Sequence, residues 1–255
     1  MKHKLLFLFY AALSSTGVWA VEPGPREILR QTVERNQDIL EPLSRFRYQR
    51  YREVRWLDSQ GAVKSADSTL HLVDIRQGMP HSRLVEKNGV VQAKERMDTP
   101  DRAEFQKELA ERRRAMREIP DAFEWKLAGS EMVEGRGVWV VDASPRAGYQ
   151  SKSPEAKIFK HTSGRIWIDK EELRMVRIDA HVNDAISFAW FLLRIQPGFR
   201  FHFEQTRESY STWLPRGAVV KGSAKILGIK TVRLEVDTRY RGFEPLPPAQ
   251  LAAAR

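Results

Sequence analysis

The side chains able to do chemistry in this chain are scattered. There is no cysteine, which excludes thiolate nucleophiles, thiolate metal sites and disulfides. His3 falls in the leader discussed below. His71, His81, His161, His181 and His202 show neither an H-E-x-x-H pattern nor close-pair spacing. A metal site assembled from distant strands is the one arrangement that this spacing leaves open. No G-x-S-x-G elbow, phosphate-binding loop or G-x-G-x-x-G run occurs, and Gly135-Arg136-Gly137 reads as a hairpin turn. Glu171 and Glu172 share a tight turn, where adjacent side chains diverge, so they read as a solvated turn and not as an acid/base pair. Asp169 and Asp179 read as outward polar positions of one hairpin. His202, between Phe201 and Phe203, reads as a surface residue. Neither catalysis nor a cofactor is expected.

The unusual chemistry is apolar. Residues 186–193 (ISFAWFLL) are followed at once by Phe199, Phe201 and Phe203, which places six aromatic residues within sixteen positions. Two readings stand: an ordinary core strand or helix packed on a sheet, or the lining or lid of an apolar cavity. On the second reading the candidate ligand-binding residues are Trp167, Phe188, Trp190, Phe191, Leu193, Phe201, Phe203 and Trp213. Positive charge is spread along the chain except at Arg112, Arg113 and Arg114, the candidate partner-binding residues.

The elements that must position these residues are mostly strands. Pro25 opens a helix with Ile28, Leu29 and Val33 on one side, which Pro42 keeps from extending. From Arg45 to Arg50 aromatic and cationic residues alternate; the alternation shifts near Tyr51, as at a bulge, and resumes at Val54 and Trp56. Asn88-Gly89 is a favoured two-residue hairpin turn. A second helix starts at a Thr99 cap and stops at Pro120, with Phe105, Leu109, Met116 and Ile119 on one face. Further strands surround Trp125, Trp139, Trp167, Ile178, Phe201 and Trp213, and two more cover about 218–227 and 229–240. Some ten or eleven strands joined by short turns, with two principal helices, make an antiparallel α+β chain without internal repeat.

Residues 1–20 (MKHKLLFLFYAALSSTGVWA) read as an export signal: Lys2 and Lys4, then an apolar stretch, then small residues Val18 and Ala20. The expected mature chain begins near Val21, forms one domain over 21–243, and ends in a disordered tail over 244–255. The expected location is the periplasm, with the signal cleaved near Ala20. The chain has 43 Lys and Arg against 33 Asp and Glu, a net charge of +10. Without a basic stripe this does not suit nucleic acid; it suits anionic lipid or acidic protein partners.

The hairpin GRIWIDKEELRMVRIDAHV, residues 164–182, resembles the G-x-x-W-I-D…V-R-I/L hairpin of bacterial outer-membrane lipoprotein-sorting proteins, the LolA/LolB-like superfamily. Residues 137–145 resemble the strand that precedes that hairpin, Trp213-Leu214-Pro215-Arg216 its W-L/V-P-x element, and Val232 to Phe243 its closing strand. The resemblance implies an open antiparallel half-barrel of about eleven β-strands with helices covering the concave apolar face. It implies binding of acyl chains, with an acylated lipoprotein or lipid as ligand, for transport or sorting to the outer membrane, through transient membrane contact and as a monomer. An envelope-stress sensor or protein-interaction module of the same fold, docked on a membrane protein, is the alternative it implies. The absence of a lipobox cysteine departs from the lipid-anchored acceptor of that family.

Overall fold

The computed structural model of this chain describes residues 23–36, 40–188, 192–208 and 212–247. The expected signal, Trp190, Phe191 and most of the expected tail lie outside the described residues, as does the side chain of Phe188. Three α-helices are described: α1 (Pro25–Arg35), α2 (Leu40–Leu43) and α3 (Arg102–Ala122). The strands are β1 (Phe46–Leu57), β2 (Val63–Arg76), β3 (Met79–Lys87), β4 (Val90–Asp98), β5 (Phe123–Val133), β6 (Arg136–Pro145), β7 (Thr162–Asp169), β8 (Met175–Val182), β9 (Ile186–Phe188), β10 (Leu193–Ile195), β11 (Arg200–Arg207), β12 (Trp213–Ile226) and β13 (Lys230–Pro245). A 3₁₀ helix, Glu155–His161, precedes β7.

Eleven of these strands form one open sheet in the order β4-β3-β2-β1-β13-β12-β11-β8-β7-β6-β5, and β9 and β10 make a short hairpin beside the far end of β12. Every described pairing is antiparallel, as expected for short turns. The fold is therefore the expected α+β open half-barrel. Its first and last strands in sequence, β1 and β13, pair in the middle of the sheet. The edges are β4 and β5.

Helix α1 owes its place to apolar residues on one side. Ile28 and Leu29 are buried against Trp139, Val141, Ile166 and Ile168 of β6 and β7. Its C-terminal end is held to the β7–β8 turn: Asn36 Nδ2 donates to the Leu173 carbonyl at 2.9 Å and Arg174 donates to the Arg35 carbonyl at 3.0 Å. Arg26 pairs with Asp121 of α3. The cap of α3 is Asp101 and not Thr99: the Asp101 carboxylate accepts from the Glu104 N–H at 3.0 Å, while the Thr99 hydroxyl faces His81. Pro120 does not stop this helix, which runs on to Ala122. In the last turn a proline removes only one helical hydrogen bond, and the Pro120 carbonyl accepts from the Trp125 indole at 3.1 Å. The Glu118 carboxylate is buried, and accepts from the Tyr149 hydroxyl, the Ser153 hydroxyl and the Lys152 N–H, fixing the loop before the 3₁₀ helix.

Four further expectations are corrected. The alternation of β1 does not shift at Tyr51; the irregularity lies between Arg47 and Gln49 in the pairing with β13, where Gly242 takes φ +63°. Asp169 is not an outward position but fully buried: Arg136 Nε donates to it at 2.6 Å, and the N–H groups of Glu171 and Glu172 donate to it as well. Glu172 is not a solvated turn residue, since it accepts from the Trp213 indole at 2.7 Å and pairs with Arg207 at 2.8 Å. The ordered chain passes residue 243: β13 reaches Pro245, and Leu246 is buried with its N–H on the Arg45 carbonyl.

Candidate functional site

Antiparallel register carries side-chain direction across the sheet, because directly paired residues share a face. One row runs Leu127, Val141, Ile166, Ile178, Phe203, Ala218, Thr238, Arg52, Thr69 from β5 to β2. The next runs Ala143, Gly164, Ala180, Phe201, Val220, Val236, Val54, Asp67. Both lie on the inner face, because Ile28 and Leu29 of α1 sit on Val141 and Ile166.

That inner face has two halves. Over β5 to β8 it is packed by α1, and Trp139, Val141, Ile166 and Ile168 are core. Over β11, β12, β13 and β1 the part next to α2 is core as well, with Phe46, Tyr48, Val73 and Leu214 packed on Leu43. Beyond it the face forms an apolar trough, where Phe203, Val220, Val236, Val54, Leu234 and Trp56 are only half-buried and Phe201 is 38% exposed. The rings of Phe201 and Phe203 stack in parallel, 6.5 Å between centroids. At the end of the trough Phe199 lies on Gly222, where any side chain would start 2.3 Å from the ring, so this strand position admits glycine alone.

The other end of the trough is cationic. Tyr240, Arg50, His71 and Leu84 form the neighbouring row, with Arg52 two residues on from Arg50 on the same face. Arg50 donates to the Ser82 hydroxyl at 3.3 Å; Arg52 has no ion pair among the described residues. Burial pushes the Tyr240 hydroxyl above its ordinary pKa, and the charges of the Arg50, Arg52 and Arg112 guanidinium groups pull it partly back. Burial, together with Tyr240, raises Tyr48 to about 12. Burial and then Arg50 lower His71, whose Nδ1 is buried with no hydrogen-bond partner among the described residues.

The residues singled out from the sequence are therefore divided. Phe201 and Phe203 line the trough. Trp167 and Trp213 do not: they belong to a buried cluster with Val138, Val140 and Val176 on the outer face. The reason is register, since Trp167 pairs with Arg177 and Arg177 with Glu204, one residue out of phase with Phe203. The Trp167 indole donates to Glu131 at 3.0 Å under the Arg177 guanidinium. Trp213 borders a small outer cavity of about 270 Å³ with Arg136, Arg207 and Glu134. Leu193 stands at an exposed tip, paired with Ile226. The stretch 186–193 resolves into β9 and the start of β10, with 189–191 outside the described residues. Arg112, Arg113 and Arg114 do not form one patch, because consecutive helical residues diverge by about 100°. Arg112 acts on Tyr240, while Arg114 turns to Glu111 at 3.9 Å. Missed in the sequence were Arg50 and Arg52, whose cationic type suggested the outer face.

His202 is confirmed on the outer face, with Nδ1 2.5 Å from Asp179 and Nε2 3.4 Å from Glu204. Among the described residues no cluster of His, Asp or Glu is arranged to hold a metal ion. No described helix is long and apolar enough to cross a membrane.

The geometry defines a class: an open half-barrel with one half of its inner face filled by a helix and the other half left as a trough. No family model matches the chain, and no curated protein matches it. Among solved structures it is similar to a DUF1329 family protein from Desulfovibrio piger (12% identity, 91% of this chain and 98% of that one, TM-score 0.38). It is similar to a protein described as an outer membrane lipoprotein-sorting domain from Vibrio parahaemolyticus (9% identity, 91% and 98%, TM-score 0.38). A LolA superfamily protein from Nitrosomonas europaea matches at 9% identity over 87% and 96% of the two chains, with TM-score 0.35. At these values the assignment of the fold rests on the strand register described above.

Proposed function

We propose that this protein is a periplasmic binding protein and not an enzyme, and that it holds an acyl chain of a lipid or lipoprotein in the trough with an anionic headgroup against Arg50, Arg52 and Arg112. The observation that carries the reading is the half-buried apolar row Phe201, Val220, Val236, Val54, beside arginines on the same face. Leaving such side chains half in water forgoes roughly 25 cal/mol for each Å² of apolar surface, and an acyl chain gains about 0.8 kcal/mol for each CH₂ that it buries. Phenylalanine and branched side chains hold a chain without fixing it by hydrogen bonds, which suits release. The cationic end gives polarity: tail along the trough, head toward Arg50 and Arg52.

The test uses acyl chains brominated near the tail. They quench the emission of Trp56, which lies in the trough, and Trp56→Phe removes that part of the quenching. Mass spectrometry of gently purified protein finds co-purifying anionic lipid. Absence of both quenching and bound lipid overturns the reading. Capture of an exported membrane-protein domain that is lost on Arg112→Glu and indifferent to lipid would establish a protein-interaction module in its place.

A further inference from the structure

The far end of the sheet carries a second feature that the trough does not need. Strands β12 and β13 turn at Leu227-Gly228, both at positive φ (+52° and +71°), and Ile229 N–H donates to the Ile226 carbonyl at 3.1 Å. A β-turn with both central residues at positive φ favours Asn-Gly there, and leucine is a poor occupant of the left-handed region. Leu227 is nonetheless 54% exposed and Ile229 87% exposed. The hairpin β9–β10 adds to the same tip: Leu193 pairs with Ile226, the Leu227 N–H donates to the Leu192 carbonyl at 2.9 Å, and Leu192 is 49% exposed. Large apolar side chains thus gather where neither packing nor turn chemistry asks for them.

Charge says what covers them. Residues 192–203 and 216–234 contain no Asp or Glu, in a chain with 33 of them. The cations nearest the tip are Arg194, Lys225 and Lys230. Just behind it Arg200, Lys221 and Arg233 border a cleft of about 320 Å³, and Arg200 and Arg233 have no ion pair among the described residues. An apolar tip, ringed by cations and backed by a cationic cleft, matches an anionic bilayer surface: side chains enter the interface and Lys and Arg meet headgroup phosphates. A second copy of this chain would bring like charges together, which argues against self-association at this tip.

We propose that the 226–229 hairpin, with Leu192 and Leu193, docks reversibly on anionic lipid membranes. The tip also continues the trough's inner face, since Leu193 and Ile226 follow Ile195 and Ala224 in register. Docking would therefore set the Phe199 end of the trough against the bilayer.

The purified protein is sedimented with vesicles of phosphatidylcholine alone and of phosphatidylcholine with about a third phosphatidylglycerol. It is expected to pellet with the anionic vesicles and to stay largely in solution with the neutral ones. The double variant Leu227→Asn, Ile229→Asn is expected to lose about tenfold or more in partitioning while melting no lower than the parent, since Asn-Gly suits the turn better. Lys225→Gln with Lys230→Gln is expected to erase the preference for anionic lipid. A parent that stays in the supernatant, or a double variant that pellets like the parent, overturns the proposal. So does light scattering that shows a dimer abolished by the double variant with no vesicle binding. Quenching by brominated acyl chains is a separate readout, so failure of the trough reading is distinguishable from failure of docking.

Discussion

The two halves of the inner face share strands of the same kind and the same alternation, yet one is core throughout and the other, beyond the Phe46–Tyr48–Leu214 cluster, is trough. Over β5 to β8, Ile28 and Leu29 of α1 close on Trp139, Val141, Ile166 and Ile168. Over β11 to β1, the corresponding positions are smaller and mixed (Ala218, Thr238, Val220, Val236), two are arginine, and no α1 side chain belongs to their surroundings among the described core clusters. A β-sheet face becomes interior only where another element supplies matching apolar side chains. Where it does not, the same pattern makes a binding surface. The turn that anchors α1 belongs to the packed half: burial raises the Asp169 carboxyl, but the Arg136 guanidinium and two backbone N–H groups outweigh it and hold it below the usual carboxylate range.

The comparison can be broken most sharply in the packed half. Leu29→Ala is expected to cost about 2–5 kcal/mol in urea unfolding, because it leaves a cavity in a closed site, whereas Val236→Ala in the trough costs about 1 kcal/mol or less. Equal losses would mean that the trough is core. Asp169→Ala is expected to cost about 3 kcal/mol, since it removes the buried carboxylate that Arg136 grips with two nitrogens and unpins the 169–173 turn. Differential scanning calorimetry checks this, and a melting curve identical to the parent's would remove that turn from the packed half's support. In the trough half, Arg52→Glu is expected to weaken binding of an anionic brominated lipid about tenfold, with unfolding changed by no more than about 0.5 kcal/mol, as suits an exposed residue without an ion pair. Unchanged affinity would place the headgroup elsewhere. The smallest effect concerns pH. His71 is lowered in the fold, so the unfolded chain takes up its proton first, near pH ~6.5; the stability from keeping it neutral is full above that value and falls as pH drops below it. His71→Gln is expected to flatten that part of the curve of stability against pH, and an unchanged curve would assign the slope to other groups.

Much of the fold was legible in the sequence because its signals are local. Asn88-Gly89 does turn β3 into β4, and alternation marked β1, β5 and β11. Phe201 and Phe203 were legible as candidates because alternation around His202 puts both on one face. What alternation could not say is which face of β7 matches which face of β11. Trp167 and Phe201 look alike in sequence, and only the register through β8 shows that they lie on opposite sides. Arg50 and Arg52 were passed over for the converse reason: cations in a strand suggest solvent, while register puts them beside Tyr48, Val54 and Trp56 on the inner face.

By itself the sequence determined the antiparallel α+β class and the absence of thiol chemistry, since these depend on near neighbours and residue type. The tertiary structure alone decided that β1 meets β13 in the middle of the sheet, that α1 fills one half of the inner face, and that the apolar tip of β12–β13 is left exposed. Each of these depends on contacts between residues far apart in the chain, and their strength is set by what surface remains after other elements have packed. That remainder is not written at any one position of the sequence.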